Sequence, residues 1–92
     1  MNRESLRVLL TVAGVHPSLY SLDGPAQASE SYSLVADGSG WNVLYKERGQ
    51  FNTVAAGLSE SEACDLIYKL LDDALGLASK APAPGASVQN GA

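Results

Sequence analysis

The chain has 92 residues, a formal net charge of −4 and a pI of about 4.6; 46% of its residues are hydrophobic and 17% charged. That composition supports one small globular domain and excludes a disordered chain. The six Lys and Arg are scattered through an acidic sequence, which excludes the basic stripe that nucleic acid requires and suits either plain solubility or a basic protein partner.

A helix is predicted over Arg3–Ala13, capped by Asn2. Leu6, Leu9, Leu10 and Ala13 fall on one face, and Gly14 and Pro17 stop it. The β-branched Val8, Thr11 and Val12 leave a strand as the alternative. The apolar run Val8–Val15 is too short to cross a bilayer. Arg3 and Arg7 before it imitate a signal peptide. Glu4, and the absence of a small-x-small cleavage site, argue against one, so the expected location is cytoplasmic.

Val15–Gly24 carries Leu19, Tyr20 and Leu22, more bulk than a solvated loop needs. This connector is expected to lie against a sheet and close one edge of the core. His16 before Pro17 reads as a turn or cap residue rather than a general base. A polar loop follows from Gly24-Pro25 to about Glu30.

Two strands come next, Tyr32–Ala36 and Trp41–Glu47, joined at Asp37-Gly38-Ser39-Gly40. Tyr32, Leu34 and Ala36 share one face of the first. Trp41, Val43 and Tyr45 alternate with Asn42, Leu44 and Lys46 on the second. A second turn at Arg48-Gly49 leads to a third strand, from Gln50 or Phe51 to Ala55, with Phe51, Thr53 and Ala55 expected on one face. Val35 and Leu44 point away from the core side, which leaves that face open to a partner or a second copy.

Ser59 and Glu62 form an S-x-x-E capping box ahead of a helix ending near Gly76. Its stripe is Ala63, Ile67, Leu70, Leu71 and Ala74, widened by Leu66. Cys64 lies beside that stripe and reads as a buried thiol, its ionisation opposed by Glu60 and Asp65. Ala81–Ala92 lacks the bulk to pack and reads as a disordered tail.

The expected fold is α+β, one domain over residues 1–80. A three-stranded antiparallel meander is covered by the C-terminal helix and a shorter N-terminal helix, in the order α-β-β-β-α.

No catalytic, cofactor or metal constellation is legible. Asp72 and Asp73 are adjacent on a helix and diverge by about 100°. Gly38-Ser39-Gly40 opens no helix and is a turn rather than a phosphate cradle. One cysteine excludes an intrachain disulfide and fits a reducing compartment, and one histidine leaves no zinc set. The reading is a binding protein without a small-molecule substrate, nucleic acid or membrane as partner. Lys46-Glu47-Arg48-Gly49-Gln50 is either a solvated, charge-protected turn or a recognition finger, with Arg48 fit for a carboxylate and Tyr45 a rigid contact at its base.

The series Y-S-L-D-G (20–24), Y-S-L-V (32–35), G-W-N-V-L-Y-K-E-R-G (40–49) and S-E-S-E-A-C-D-L-I-Y-K-L-L (59–71) resembles a group of small bacterial immunity proteins. These stand beside polymorphic or secreted toxins, including NAD-hydrolysing and type VI secretion effectors. The likeness runs from about Val15 to Leu71. The chain departs from it at Leu44 and Lys46, where the pattern has Tyr and Ser, and in its Ala/Pro/Gly-rich end. The resemblance implies a non-catalytic inhibitor that binds a cognate toxin as a heterodimer and occludes its active site. Tyr20, Asp23, Tyr45, Lys46, Glu47 and Arg48 are the residues expected at that interface, from the hairpin tip and the Leu19–Asp23 loop. A small adaptor or self-associating module is the alternative.

Overall fold

A computed structural model of the protein describes residues Met1–Leu77. The tail expected at Ala81–Ala92, and the end of the expected 1–80 domain, lie outside the described residues.

Helix α1 spans Arg3–Val12, and the Asn2 side chain caps it by accepting from the Ser5 N–H at 2.8 Å. Helix α2 spans Glu60–Leu75. Its capping box is complete: Glu62 N–H donates to Ser59 Oγ, and Ser59 N–H to Glu62 Oε1. Such a cap contributes about 1 kcal/mol and fixes where the helix begins. Gly76 ends α2 in the left-handed conformation, its N–H donating to the Asp72 carbonyl.

The sheet differs from the expected three-stranded meander. It has four strands in the order β1-β2-β3-β4: β1 Tyr20–Ser21, β2 Ser31–Asp37, β3 Gly40–Glu47 and β4 Gln50–Leu58. β2, β3 and β4 form the antiparallel meander, while β1 pairs parallel to β2, with Tyr20 opposite Tyr32 and Ser21 opposite Ser33. The extra strand is the connector expected to close an edge. A single 3₁₀ turn at Pro17–Leu19 delivers the chain to it, capped by His16, whose Nδ1 accepts from Ser18 N–H. A parallel strand needs a crossover, and here residues 22–30 supply it.

One face of the sheet carries Tyr32 and Leu34 from β2 and Trp41, Val43 and Tyr45 from β3. Leu34 and Val43 are opposite one another and fully buried. α2 lies across β2, β3 and β4 on this side, with Ala63, Cys64, Ile67 and Leu71 buried, and α1 packs against α2 through Leu6 and Leu10. Val15, Leu22 and Leu77 complete the core. Fully burying a side chain such as Leu34 stabilises by about 1.5–3 kcal/mol, so this layer, rather than the surface ion pairs, holds the fold.

β4 runs to Leu58, three residues past its expected end, and it is irregular. Leu44 opposes Thr53 and Val43 opposes Ala55, so Val54 is an extra residue; a second shift separates the Val43 and Trp41 pairs. Phe51 and Thr53 therefore share the outer face with Lys46 and Leu44, and Ala55 is reset to the core face opposite Val43. The expected common face for Phe51, Thr53 and Ala55 is corrected by this bulge.

Candidate functional site

A strand rises about 3.3 Å per residue and a helix about 1.5 Å. Sixteen residues of α2 therefore span about 24 Å, and nine of β4 about 30 Å. α2 starts just beyond the Trp41–Leu58 end of the sheet and runs back, ending over Tyr32 and Tyr45. The β3–β4 turn thus projects past the helical layer.

That turn is tight. Glu47 opposes Gln50 across two residues, Arg48 at φ 53° and Gly49 at φ 81°. Positive φ at both central residues matches the twist of the flanking strands. Glycine adopts it freely, whereas an L side chain costs about 1–2 kcal/mol. The only other non-glycine residue in this region among the described residues is Glu30, at φ 61°. It occupies the same end of the sheet, its N–H donating to the Lys46 carbonyl at 2.6 Å and its Oε1 accepting from the Tyr45 hydroxyl at 2.8 Å.

Strand alternation sorts the tip by face. Tyr45, Glu47, Gln50 and Asn52 lie on the core side of the hairpin, and Glu47, Arg48, Gln50 and Asn52 line one polar notch. Beside it, Leu19, Glu30, Tyr32, Tyr45, Leu71, Ala74 and Leu75 line a groove of about 200 Å³ at the end of α2. The Tyr32 and Tyr45 rings meet at 4.7 Å. The Glu30 hydrogen bond first, then loss of water contact and the charges of Glu30 and Glu47, push the Tyr45 hydroxyl up to about 12. The tip therefore presents an aromatic ring between two carboxylates.

Lys46 faces the other way. Its ammonium donates to the Gln27 carbonyl at 2.8 Å and lies 5.3 Å from the Phe51 ring. The residues around it strap part of the outer face: Ala26 N–H donates to Ser33 Oγ, Ser31 Oγ–H to the Ala28 carbonyl, and Gly49 N–H to Ser29 Oγ. Ser31 and Ser33 are fully buried under this strap.

The six residues expected at one interface do not all come together. Tyr20 lies in register with Tyr32 and hence with Tyr45, and Glu47 and Arg48 crown the tip. Asp23 is elsewhere. Its carboxylate bridges Arg3 Nη1 at 3.1 Å and Arg7 Nη2 at 2.9 Å, fastening α1 beyond β1. The expected protruding Leu19–Asp23 loop is in fact an edge strand followed by buried Leu22. Glu30 was missed at the sequence level, since only the tertiary placement of its loop brings it to Tyr45.

Cys64 is fully buried on the inner side of α2. Burial first, then the charge of Glu60, pushes its thiol up, with a smaller push from Asp65 and opposing pulls from the N-terminus and Arg3. Such a thiol is a packing group rather than a nucleophile. Among the described residues no helix is long and apolar enough to cross a membrane, and no group of three or more His, Cys, Asp or Glu is placed to hold a metal ion. Compared with known proteins, the chain matches no family model, no curated protein and no solved structure.

Proposed function

We propose that this chain is a non-catalytic immunity protein that binds a cognate toxin through the β3–β4 tip and occludes the toxin's active site. The immunity reading comes from the sequence resemblance. The observation that carries the use of the tip is the presence of two strained residues of opposite charge, Glu30 and Arg48, at one end of the sheet. Backbone strain is retained where a side chain is needed for something other than folding. At Arg48 a glycine or asparagine would form the same turn at lower cost.

The chemistry suits a cleft that recognises phosphates, as an NAD-consuming toxin must have. Glu30 and Glu47 flank Tyr45 on one face, and Lys46 is turned to the opposite face and held by Gln27. On the core side of the tip an electropositive cleft would meet carboxylates and an aromatic edge, while Arg48 at the apex is left for a carboxylate of the toxin outside that positive field. Charge complementarity of this kind mainly speeds association.

The test is whether a toxin-like gene lies next to this one and whether its product co-purifies with the chain, followed by Glu47→Lys and Arg48→Gly. Each is expected to weaken binding at least tenfold, about 1.4 kcal/mol, with the circular dichroism spectrum unchanged. Asp73→Lys on the outer surface of α2 is the control. Wild-type affinity in both tip variants would remove the tip from the interface.

A further inference from the structure

We infer that two copies of this chain pair through the outer edge of β4, joining their sheets into one. Among the described residues β4 is an open edge of the sheet: the order ends with it, and α1 lies toward the opposite edge, reaching Asp23 beyond β1. Edge strands are ordinarily protected by charges, prolines or brevity. β4 has nine residues, Q-F-N-T-V-A-A-G-L, with no charge and no proline. Phe51 and Val54 on it are each 43% exposed. Its bulges disturb only the half beyond Thr53, so Gln50–Thr53 remains a regular edge.

The turn fixes which backbone groups are available. A two-residue turn is closed by the hydrogen bond from Gln50 N–H to the Glu47 carbonyl, so Gln50 and Asn52 face β3 with their backbone groups. By alternation, the N–H and C=O of Phe51 and Thr53 face outward. An antiparallel copy centred on Asn52 sets Phe51 of each chain opposite Thr53 of the other, and the two pairs exchange four backbone hydrogen bonds. Each pair is an aromatic against a β-branched residue on one face, a favourable cross-strand combination.

The same symmetry identifies the occupant as a second copy. A two-fold axis through an edge sets a strand against itself, so a charge near the axis would meet its own like charge. Among the described strands other than the two-residue β1, β4 alone has no charged side chain, although the whole chain carries a net charge of −4. The eight-stranded sheet formed by four strands from each copy would carry both helical layers on one side.

Sedimentation velocity of the full chain, as a concentration series, tests this without any toxin. Failure here therefore leaves the toxin-binding reading standing, and the reverse holds. The expected result is a reversible monomer–dimer equilibrium. Asn52→Lys and Asn52→Asp should each raise the dissociation constant at least tenfold, and an equimolar mixture of the two variants should restore the dimer. Thr53→Pro, which removes only an outward N–H, should leave a folded monomer. A wild-type chain that stays monomeric up to about 1 mM, the weak end of measurable association, overturns the inference. So does a dimer that survives in both Asn52 variants.

Discussion

The guanidinium of Arg3 lies 4.9 Å from the centroid of the Trp41 ring. The same group reaches Asp23 through Nη1, and its buried Nε sits 3.4 Å from Glu60 Oε2 without hydrogen-bond alignment. One side chain thus ties α1 to the sheet, to the end of β1 and to the first turn of α2. A planar cation can stack and fork in this way, and an ammonium cannot.

Arg3→Lys is therefore expected to destabilise the fold by about 1 kcal/mol, combining the lost stacking with screened ion pairs. For a domain of this size that lowers Tm by about 4–8 °C. Thermal melts of the two proteins check it, and the gap should narrow in 1 M salt, where the Debye length falls to about 3 Å.

Arg48→Gly should stabilise the chain by about 1 kcal/mol, because glycine carries no penalty at φ 53°. The measurement is the urea midpoint. An unchanged or lower midpoint would mean that the Arg48 side chain contributes to folding, and the case for its use in binding would lose its basis.

The Tyr45 phenol is expected to titrate near 12 when followed by ultraviolet absorbance, and Glu30→Gln should bring it back toward its ordinary value of 10. The sign for stability follows. Protonated Tyr45 is favoured in the folded state, so its contribution is intact below pH 10 and is lost as pH rises from there to about 12. Cys64 adds to the loss in the same direction from the ordinary thiol range upward, since burial opposes its ionisation as well.

Native Cys64 should resist thiol reagents and react fully once the chain is unfolded in guanidinium. Rapid labelling under native conditions would contradict its complete burial.

Leu6→Ala should cost about 2–5 kcal/mol, a large part of the stability of a domain this small. Val12→Lys, on the exposed side of the same helix, should change stability by less than about 0.5 kcal/mol. Chemical denaturation of the pair separates the packed and open faces of α1.

Features governed by neighbours in sequence were legible before the fold was known. The Ser59–Glu62 box, the stops at Gly14 and Gly76 and the turn at Arg48-Gly49 are local devices, and each lies where its residues indicate. The four-residue connection expected at Asp37–Gly40 tightens to a turn at Gly38-Ser39, with Asp37 and Gly40 paired in the strands. β1 was not legible as a strand, because two residues carry no period and its partner lies twelve positions on. The bulge at Val54 was hidden for a related reason. Phe51, Thr53 and Ala55 alternate without interruption in the sequence, and only the pairing with Val43 and Leu44 reveals the reset. At the tip, the spacing of Tyr45, Glu47 and Arg48 in one hairpin is enough to place them together. The position of Asp23 away from the tip is not legible in the sequence, because the two arginines that hold it lie sixteen and twenty positions away.

The same bulge bears on how the gene can change length. Losing Val54 would leave Thr53 opposite Leu44 and Ala55 opposite Val43, so a three-nucleotide deletion there preserves both pairs and straightens the strand. Losing Thr53 or Asn52 would also be absorbed by the bulge from Ala55 onward, but it would set Val54 opposite Leu44 and, without Asn52, Thr53 on the core side opposite Tyr45. β4 thus tolerates the loss of one residue at this point, and losing Val54 changes the fewest side-chain positions. The shortened strand would be flatter and longer in regular pairing, so such a variant is expected to fold and to precipitate more readily.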